Sequence, residues 1–280
     1  MASELIQKAS DLRTRGSPEE AARMYLQAAG EFEKNKQSED AAQAYNEAGL
    51  LLSEAGKSSE GVSLYLKAIE IFDKLDDLDG KADSSYNACV AFNDMESFEE
   101  AAKHCSAALK IYEGLKSEDK VADACYGLGL AYAGLGKIDD SLNLFNRALE
   151  LSRKIQNLEG IMSISLDIGN AYLRKEDFDN ALASFRAALD IARKLKDDGS
   201  IGDALSAMGE AYELSEDYGR SADSFLGAAE KYLNAGMGDL AEEYTYRIDN
   251  LLPDLAGATV EKVKKRMQDL LSKLPKKEVS

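Results

Sequence analysis

His104 and Cys105 stand side by side, and a histidine beside a thiol could act as base and nucleophile. Neighbouring residues on a helix point about 100° apart, so these two cannot pass a proton between them. Gly127-Leu128-Gly129 has the glycine spacing of a phosphate-cradling loop, but it lies inside a helical apolar stripe with no strand before it. The carboxylate pairs Asp76-Asp77, Asp139-Asp140 and Asp197-Asp198 fall at turns and helix ends, where solvated caps explain them better than acid/base dyads. Three cysteines, Cys89, Cys105 and Cys125, are expected on apolar faces as buried thiols. Neither Cys-x-x-Cys nor a paired Cys/His spacing occurs, so zinc and a disulfide framework are not expected. The sequence points to no catalytic residue, no cofactor and no metal site, and the protein is not expected to be an enzyme.

Charge narrows the field further. The chain of 280 residues carries a net charge of −17, and it is uneven: residues 241–280 hold 8 Lys/Arg against 7 Asp/Glu, the first 240 hold 26 against 44. Such a surface repels phosphate backbones and anionic lipid, which excludes nucleic acid and membranes as main partners. No apolar run reaches the roughly 20 residues of a membrane helix. Met1-Ala2-Ser3-Glu4 lacks the basic-then-apolar pattern of a secretory leader, so a cytoplasmic location is expected.

The elements that would position any functional side chain repeat every forty residues. Ala28, Ala68, Ala108, Ala148, Ala188 and Ala228 form one column. Three residues earlier stand Tyr25, Tyr65, Cys105, Phe145, Phe185 and Phe225; earlier in the unit come Ala9, Gly49, Cys89, Gly129, Gly169 and Gly209. A register held over some two hundred residues means one supersecondary unit stacked on itself. In the fourth unit Cys125, Leu128, Gly129, Tyr132 and Leu135 form one helical stripe, and Ile138, Leu142, Phe145, Ala148, Leu149 and Ser152 form a second. Gly136-Lys137 divides them, so each unit is two antiparallel helices, A and B. A small residue on helix A lets helix B approach, and the aromatic fills the gap beside it. Ser17-Pro18-Glu19-Glu20 and Ser97-Phe98-Glu99-Glu100 read as capping boxes. Gly80 and Gly160 are expected near the turns that follow helix B.

Leu128-Gly129-x-x-Tyr132 with Ser141-x-x-x-Phe145 and Ala148 resembles the tetratricopeptide repeat (TPR), as do Ile168-Gly169-x-x-Tyr172 with Ala181-x-x-x-Phe185 and Met208-Gly209-x-x-Tyr212 with Ser221-x-x-x-Phe225. The usual Trp of helix A and Pro after helix B are missing, and the period is 40 rather than 34. This long form resembles the repeats of kinesin light chain, the Pins/LGN spindle adaptors and the soluble NSF-attachment proteins. The resemblance implies an all-α, right-handed α-solenoid of six repeats over 1–241 (about 2–41, 42–81, 82–121, 122–161, 162–201 and 202–241). Residues 242–274 leave the pattern and are expected to cap the stack through helices, with Lys262, Lys264, Lys265 and Arg266 off the apolar face of the last one. A docking helix is the alternative. The tail 275–280 is expected to be disordered.

In TPR proteins the A helices line a concave face that holds a peptide or helix, and the resemblance implies the same use here. Counting outward from the Gly column gives its lining: Gln43, Asn46, Leu50, Asp83, Tyr86, Val90, Asn93, Asp123, Tyr126, Leu130, Leu166, Asn170, Leu173, Arg174, Asp203, Glu210 and Glu213. The Lys/Arg clamp for a chaperone's acidic tail is absent from the corresponding positions. Carboxylates recur instead at Asp83, Asp94, Asp123, Asp203, Glu210 and Glu213, which suggests a partner segment bearing Lys or Arg. Tyr86, Tyr126, Leu130 and Leu166 would supply an apolar middle, where loss of the two tyrosines should weaken binding but not melting. The leading expectation is a non-enzymatic adaptor or scaffold. The alternatives are an attachment factor for a remodelling ATPase and a self-assembling TPR scaffold, in which the closing helix meets Leu5 and Ile6 of the next molecule.

Overall fold

Helices of this chain are amphipathic and separated by short polar links, and the computed structural model describes residues 2–274 as helices joined by tight turns. The segment 275–280, expected to be a disordered tail, lies outside the described residues. The chain forms two compact units, residues 1–151 and 152–280. In the first are α1 (Ala2–Thr14), α2 (Pro18–Lys34), α3 (Ser38–Glu54), α4 (Ser58–Lys74), α5 (Leu78–Asp94), α6 (Phe98–Leu115) and α7 (Glu118–Gly134). Helix α8 (Ile138–Lys154) carries the boundary in its last turn. The second holds α9 (Leu158–Arg174), α10 (Phe178–Leu195), α11 (Asp198–Leu214), α12 (Tyr218–Asn234), α13 (Gly238–Leu251), a 3-10 turn (Leu252–Asp254) and α14 (Gly257–Lys273).

Helix packs on the next helix in sequence throughout α1–α7 of the first unit and α9–α13 of the second. Each link is too short to do anything but turn the chain back on itself. One residue of each link from α1 to α13 takes a positive φ, and these residues recur every 20 positions from Gly16 to Gly236. Only Gly16, Gly56, Gly136 and Gly236 are glycines there; Lys36, Asp76, Glu96, Lys116, Gln156, Glu176, Lys196 and Glu216 adopt the same left-handed conformation. Gly80 and Gly160 stand just past these turns, as expected. They lie in the first turns of α5 and α9, where their amides donate to the capping side chains of Asp77 (3.0 Å) and Asn157 (2.9 Å). The A helices of the later repeats begin at Ser38, Leu78, Glu118, Leu158 and Asp198.

Capping departs from expectation. Ser17 and Ser97 make no side-chain cap bond. Carboxylates and one amide do that work instead: Asp77, Asn157, Asp177, Asp197 and Asp217 each accept an amide of the helix they precede. The Asp197 carboxyl is held below its usual range by Ser200, through its hydroxyl first and its amide second.

Packing follows the small-against-large rule. All six alanines of the repeat column are fully buried. A Cβ added to Gly49 would lie 2.7 Å from Tyr65 Cε1, and one on Gly209 would lie 2.5 Å from Phe225 Cε1. Gly129 meets Phe145 and Gly169 meets Phe185 in the same way, so the glycine column exists to seat a ring. Helix α14 lays Val263, Met267 and Leu270 against α12, burying all three in a cluster with Phe225, Leu226 and Ile248. Arg266 pairs with Asp223 (3.1 Å) and Glu230 (2.9 Å) of α12. The apolar face of the closing helix is thus engaged by its own chain.

Candidate functional site

In the first unit the A helices α3, α5 and α7 touch side by side and share one face. Asn46 and Leu50 come from α3, Asp83, Tyr86, Val90 and Asn93 from α5, and Asp123, Tyr126 and Leu130 from α7. Val90, Asp123 and Gln43 are exposed and the others half-buried. Side-chain bonds between neighbouring A helices hold this face together. Asn87 Nδ2 donates to Asn46 Oδ1 (3.0 Å), and Asn93 Nδ2 donates to the carbonyl of Gly127 (2.9 Å). Lys120 Nζ bridges to Asp79 (2.9 Å) and Asp83 (2.7 Å).

Between α3 and α5 the face opens into a cleft of about 510 Å³. Five carboxylates line it: Glu39, Glu47, Asp77, Asp79 and Asp83. Among the described residues two cations answer them, Lys120 at the Asp79/Asp83 end and Arg13, whose Nη1 is 3.8 Å from Glu47. Burial raises the Glu47 carboxyl above its usual value, with Arg13 opposing. The Asp123 carboxyl, although its residue is exposed, is raised too, by partial loss of hydration against the crowded face first and by neighbouring Asp119 second. The cleft therefore keeps an excess of negative charge after its internal pairs are formed.

The two tyrosines are not free surface. Tyr86 packs on the layer below, its Cε2 3.6 Å from where a Cβ on Gly127 would stand. Burial, and then the charge of Asp123, push its hydroxyl well above the ordinary tyrosine range. Tyr126 tilts against the fully packed Phe145 with centroids 5.9 Å apart. Removing either ring opens the repeat interior, so melting cannot be indifferent to them; Val90 is the outward apolar contact of this face.

In the second unit α9 and α11 touch, bringing Leu166, Asn170, Leu173 and Arg174 beside Asp203, Glu210 and Glu213. Here the carboxylates are engaged from within. Tyr232 donates to Asp203 (2.8 Å), while Arg247 of α13 reaches Glu210 (2.7 Å) and Glu213 (2.9 Å) and lies over the Phe225 ring. Sequence columns missed α13 as a continuation of the repeat. It starts forty residues after α11 and buries Ala241, Thr245 and Ile248. Tyr246, 61% exposed, occupies the column of Tyr86 and Tyr126; the forty-residue spacing was the available signal.

His104 stacks on Phe92 at 5.4 Å, and burial lowers its pKa. The cysteines differ from expectation in bonding. Cys89 and Cys105 are buried but joined in a disulfide across α5 and α6, and Cys125 is the buried free thiol. The repeat columns held the cause, because Cys89 takes the place of the glycine and Cys105 that of the ring it seats. Among the described residues no group of three or more His, Cys, Asp or Glu is arranged to hold a metal ion, and no helix is long and apolar enough to cross a membrane.

Stacked helix pairs with an open, side-chain-rich A face define a helical repeat protein built for protein contacts. Two tetratricopeptide repeat models match the chain, one over residues 81–154 and 160–233, the other over 6–76. The chain belongs to the tetratricopeptide repeat family, whose α-solenoid fold it shares and whose members serve as interaction scaffolds. No curated protein matches it. Among solved structures it is similar to the apo form of RapI (14% identity, TM-score 0.69, covering 96% of this chain and 99% of that one). It is also similar to a Rap protein complexed with competence and sporulation factor (14%, TM-score 0.60, 94% and 75%). A third is the putative kinesin light chain of Podosopora anserina with nearly identical TPR-like repeats (14%, TM-score 0.61, 69% and 95%). At these identities the likeness is one of fold.

Proposed function

We propose that this protein is a non-enzymatic adaptor whose first unit receives a Lys/Arg-bearing, partly apolar segment of another protein on the face of α3, α5 and α7. One observation carries the reading: among the described residues the α3/α5 cleft holds five carboxylates against two cations, and Asp123, on α7 of the same face, has no ion pair. A basic side chain entering there relieves repulsion already present, so the field favours that partner over an acidic one. Val90 and the half-buried Leu50 and Leu130 offer apolar contact beside the charge. In the second unit Arg247 engages both Glu210 and Glu213 and cancels one of their two charges, which makes that face the weaker match for a cation. A rigid face leaves most of the ordering cost to the segment it binds. The complex of a structurally similar Rap protein with competence and sporulation factor supports the general mode, a folded repeat array with a bound factor.

A random peptide display library, selected on the full chain, tests this. The expected winners are rich in Lys and Arg, lose affinity as salt rises, and fail to bind Glu39→Gln/Asp79→Asn/Asp123→Asn. Acidic or uncharged winners, or binding that the triple substitution leaves untouched, would overturn the proposal.

A further inference from the structure

The third repeat departs from the packing of its neighbours. On either side a glycine of helix A seats a ring of helix B, Gly49 with Tyr65 and Gly129 with Phe145. The equivalent residues of the third repeat are Cys89 and Cys105, with Cα atoms 5.2 Å apart and a disulfide between them. Both members of one packing pair have changed together, from a pair that fits to a pair that can bond. We propose that this bond is a reversible redox staple: oxidation locks the crossing of α5 and α6, and reduction loosens it.

Reduction leaves two thiols where the adjacent repeats hold a full ring. The crossing then loses its covalent tie and is also less filled than its neighbours. The consequence reaches the binding face through one layer of atoms. A Cβ on Gly127 would stand 3.0 Å from Cys105 Sγ, 3.2 Å from Cys89 Sγ and 3.6 Å from Tyr86 Cε2, so both sulfurs and the Tyr86 ring lie against α7 at the same point. Asn93, which ties α5 to the Gly127 carbonyl at 2.9 Å, also points its Nδ2 at Cys89 Sγ at 3.7 Å. A change at the sulfurs therefore moves the residues that join α5 to α7.

The chemistry is thiol–disulfide exchange. In oxidation the two thiols give up two protons and two electrons to a small-molecule disulfide such as oxidised glutathione, which leaves as two thiols. A dithiol reverses the step. Since neither sulfur is exposed, exchange proceeds through local opening of the α5–α6 pair.

The test treats the full chain with oxidised glutathione or with dithiothreitol, counts by mass the thiols alkylated in denaturant, and records melting and amide hydrogen exchange of the native chain. One alkylated thiol is expected after oxidation and three after reduction. The oxidised chain should melt several degrees higher and exchange amides of α5 and α6 about tenfold or more slowly. Both differences should vanish in Cys89→Gly/Cys105→Tyr, which restores the pair of the preceding repeat; Cys89→Ala serves if that variant does not fold. Three free thiols after the oxidant, or equal melting and exchange in the two states, would overturn the proposal.

Discussion

Tyr112 donates its hydroxyl to the Asp83 carboxylate at 2.8 Å, and three repeats later Tyr232 donates to Asp203 at the same 2.8 Å. In each case the far end of helix B reaches back to helix A of its own repeat. The other repeats carry Phe32, Phe72, Ser152 and Ala192 in the tyrosine column, so the bond belongs to these two. Burial raises both tyrosines above their usual pKa, and the bond to the carboxylate keeps them there, which preserves the donor.

Loss of that donor has a measurable cost. Tyr112→Phe should lower unfolding free energy by about 1.5 kcal/mol, the range for a hydrogen bond to a charged group, with Lys120 left to hold Asp83. The sign at high pH follows. The unfolded tyrosine ionises first, near pH 10, so stability falls as pH rises beyond that value and the phenylalanine variant falls less. Urea unfolding at pH 7 and pH 10.5 checks both statements.

Gly209→Ala should destabilise by about 1–3 kcal/mol, because its new methyl would sit 2.5 Å from Phe225 Cε1 inside a filled crossing. Helix propensity alone favours alanine by about 0.8 kcal/mol, so the sign of the result separates packing from propensity. Adding Phe225→Leu should recover part of the loss. Thermal or chemical melts read the outcome.

At Lys116 and Glu176 the chain turns with φ of 58° and 57°, a conformation that a side chain disfavours. Lys116→Gly or Glu176→Gly should each raise stability by about 0.5 kcal/mol, the strain relieved less the extra entropy of an unfolded glycine. A lower denaturation midpoint for either would show that the side chain contributes contacts worth more than the strain.

His104 is the chain's single histidine, and burial depresses its pKa. The unfolded chain therefore binds its proton first as pH falls. Stability contributed by the neutral ring is present above about pH 6.5 and declines as pH drops through that value. Between pH 7.5 and 5.5 the wild type should lose stability, and His104→Gln should show a flatter profile. Parallel profiles for the two would place the titration elsewhere.

Much of this molecule is periodic, and periodicity survives in the residue string. The alanine column, the glycine–ring pairs and the two-helix unit all recur at a fixed spacing because each repeat must fill the same crossing. The face built on Asp83, Tyr86 and Asp123 was legible for the same reason, since a helix places every third or fourth residue on one side. What a side chain does there depends on distant partners. Only the tertiary structure paired Asp83 with Lys120, closed Arg247 over Glu210 and Glu213, packed Tyr86 into the interior and joined Cys89 to Cys105. Helix α13 escaped the columns because Asp249 stands where earlier repeats have glycine, alanine or cysteine, although its backbone keeps their phase. The sequence by itself determined the unit and its repetition, which are set by local spacing and side-chain size. The tertiary structure decided which charges on the face remain unanswered, because that depends on how neighbouring helices bring residues some thirty to forty positions apart within a few ångströms.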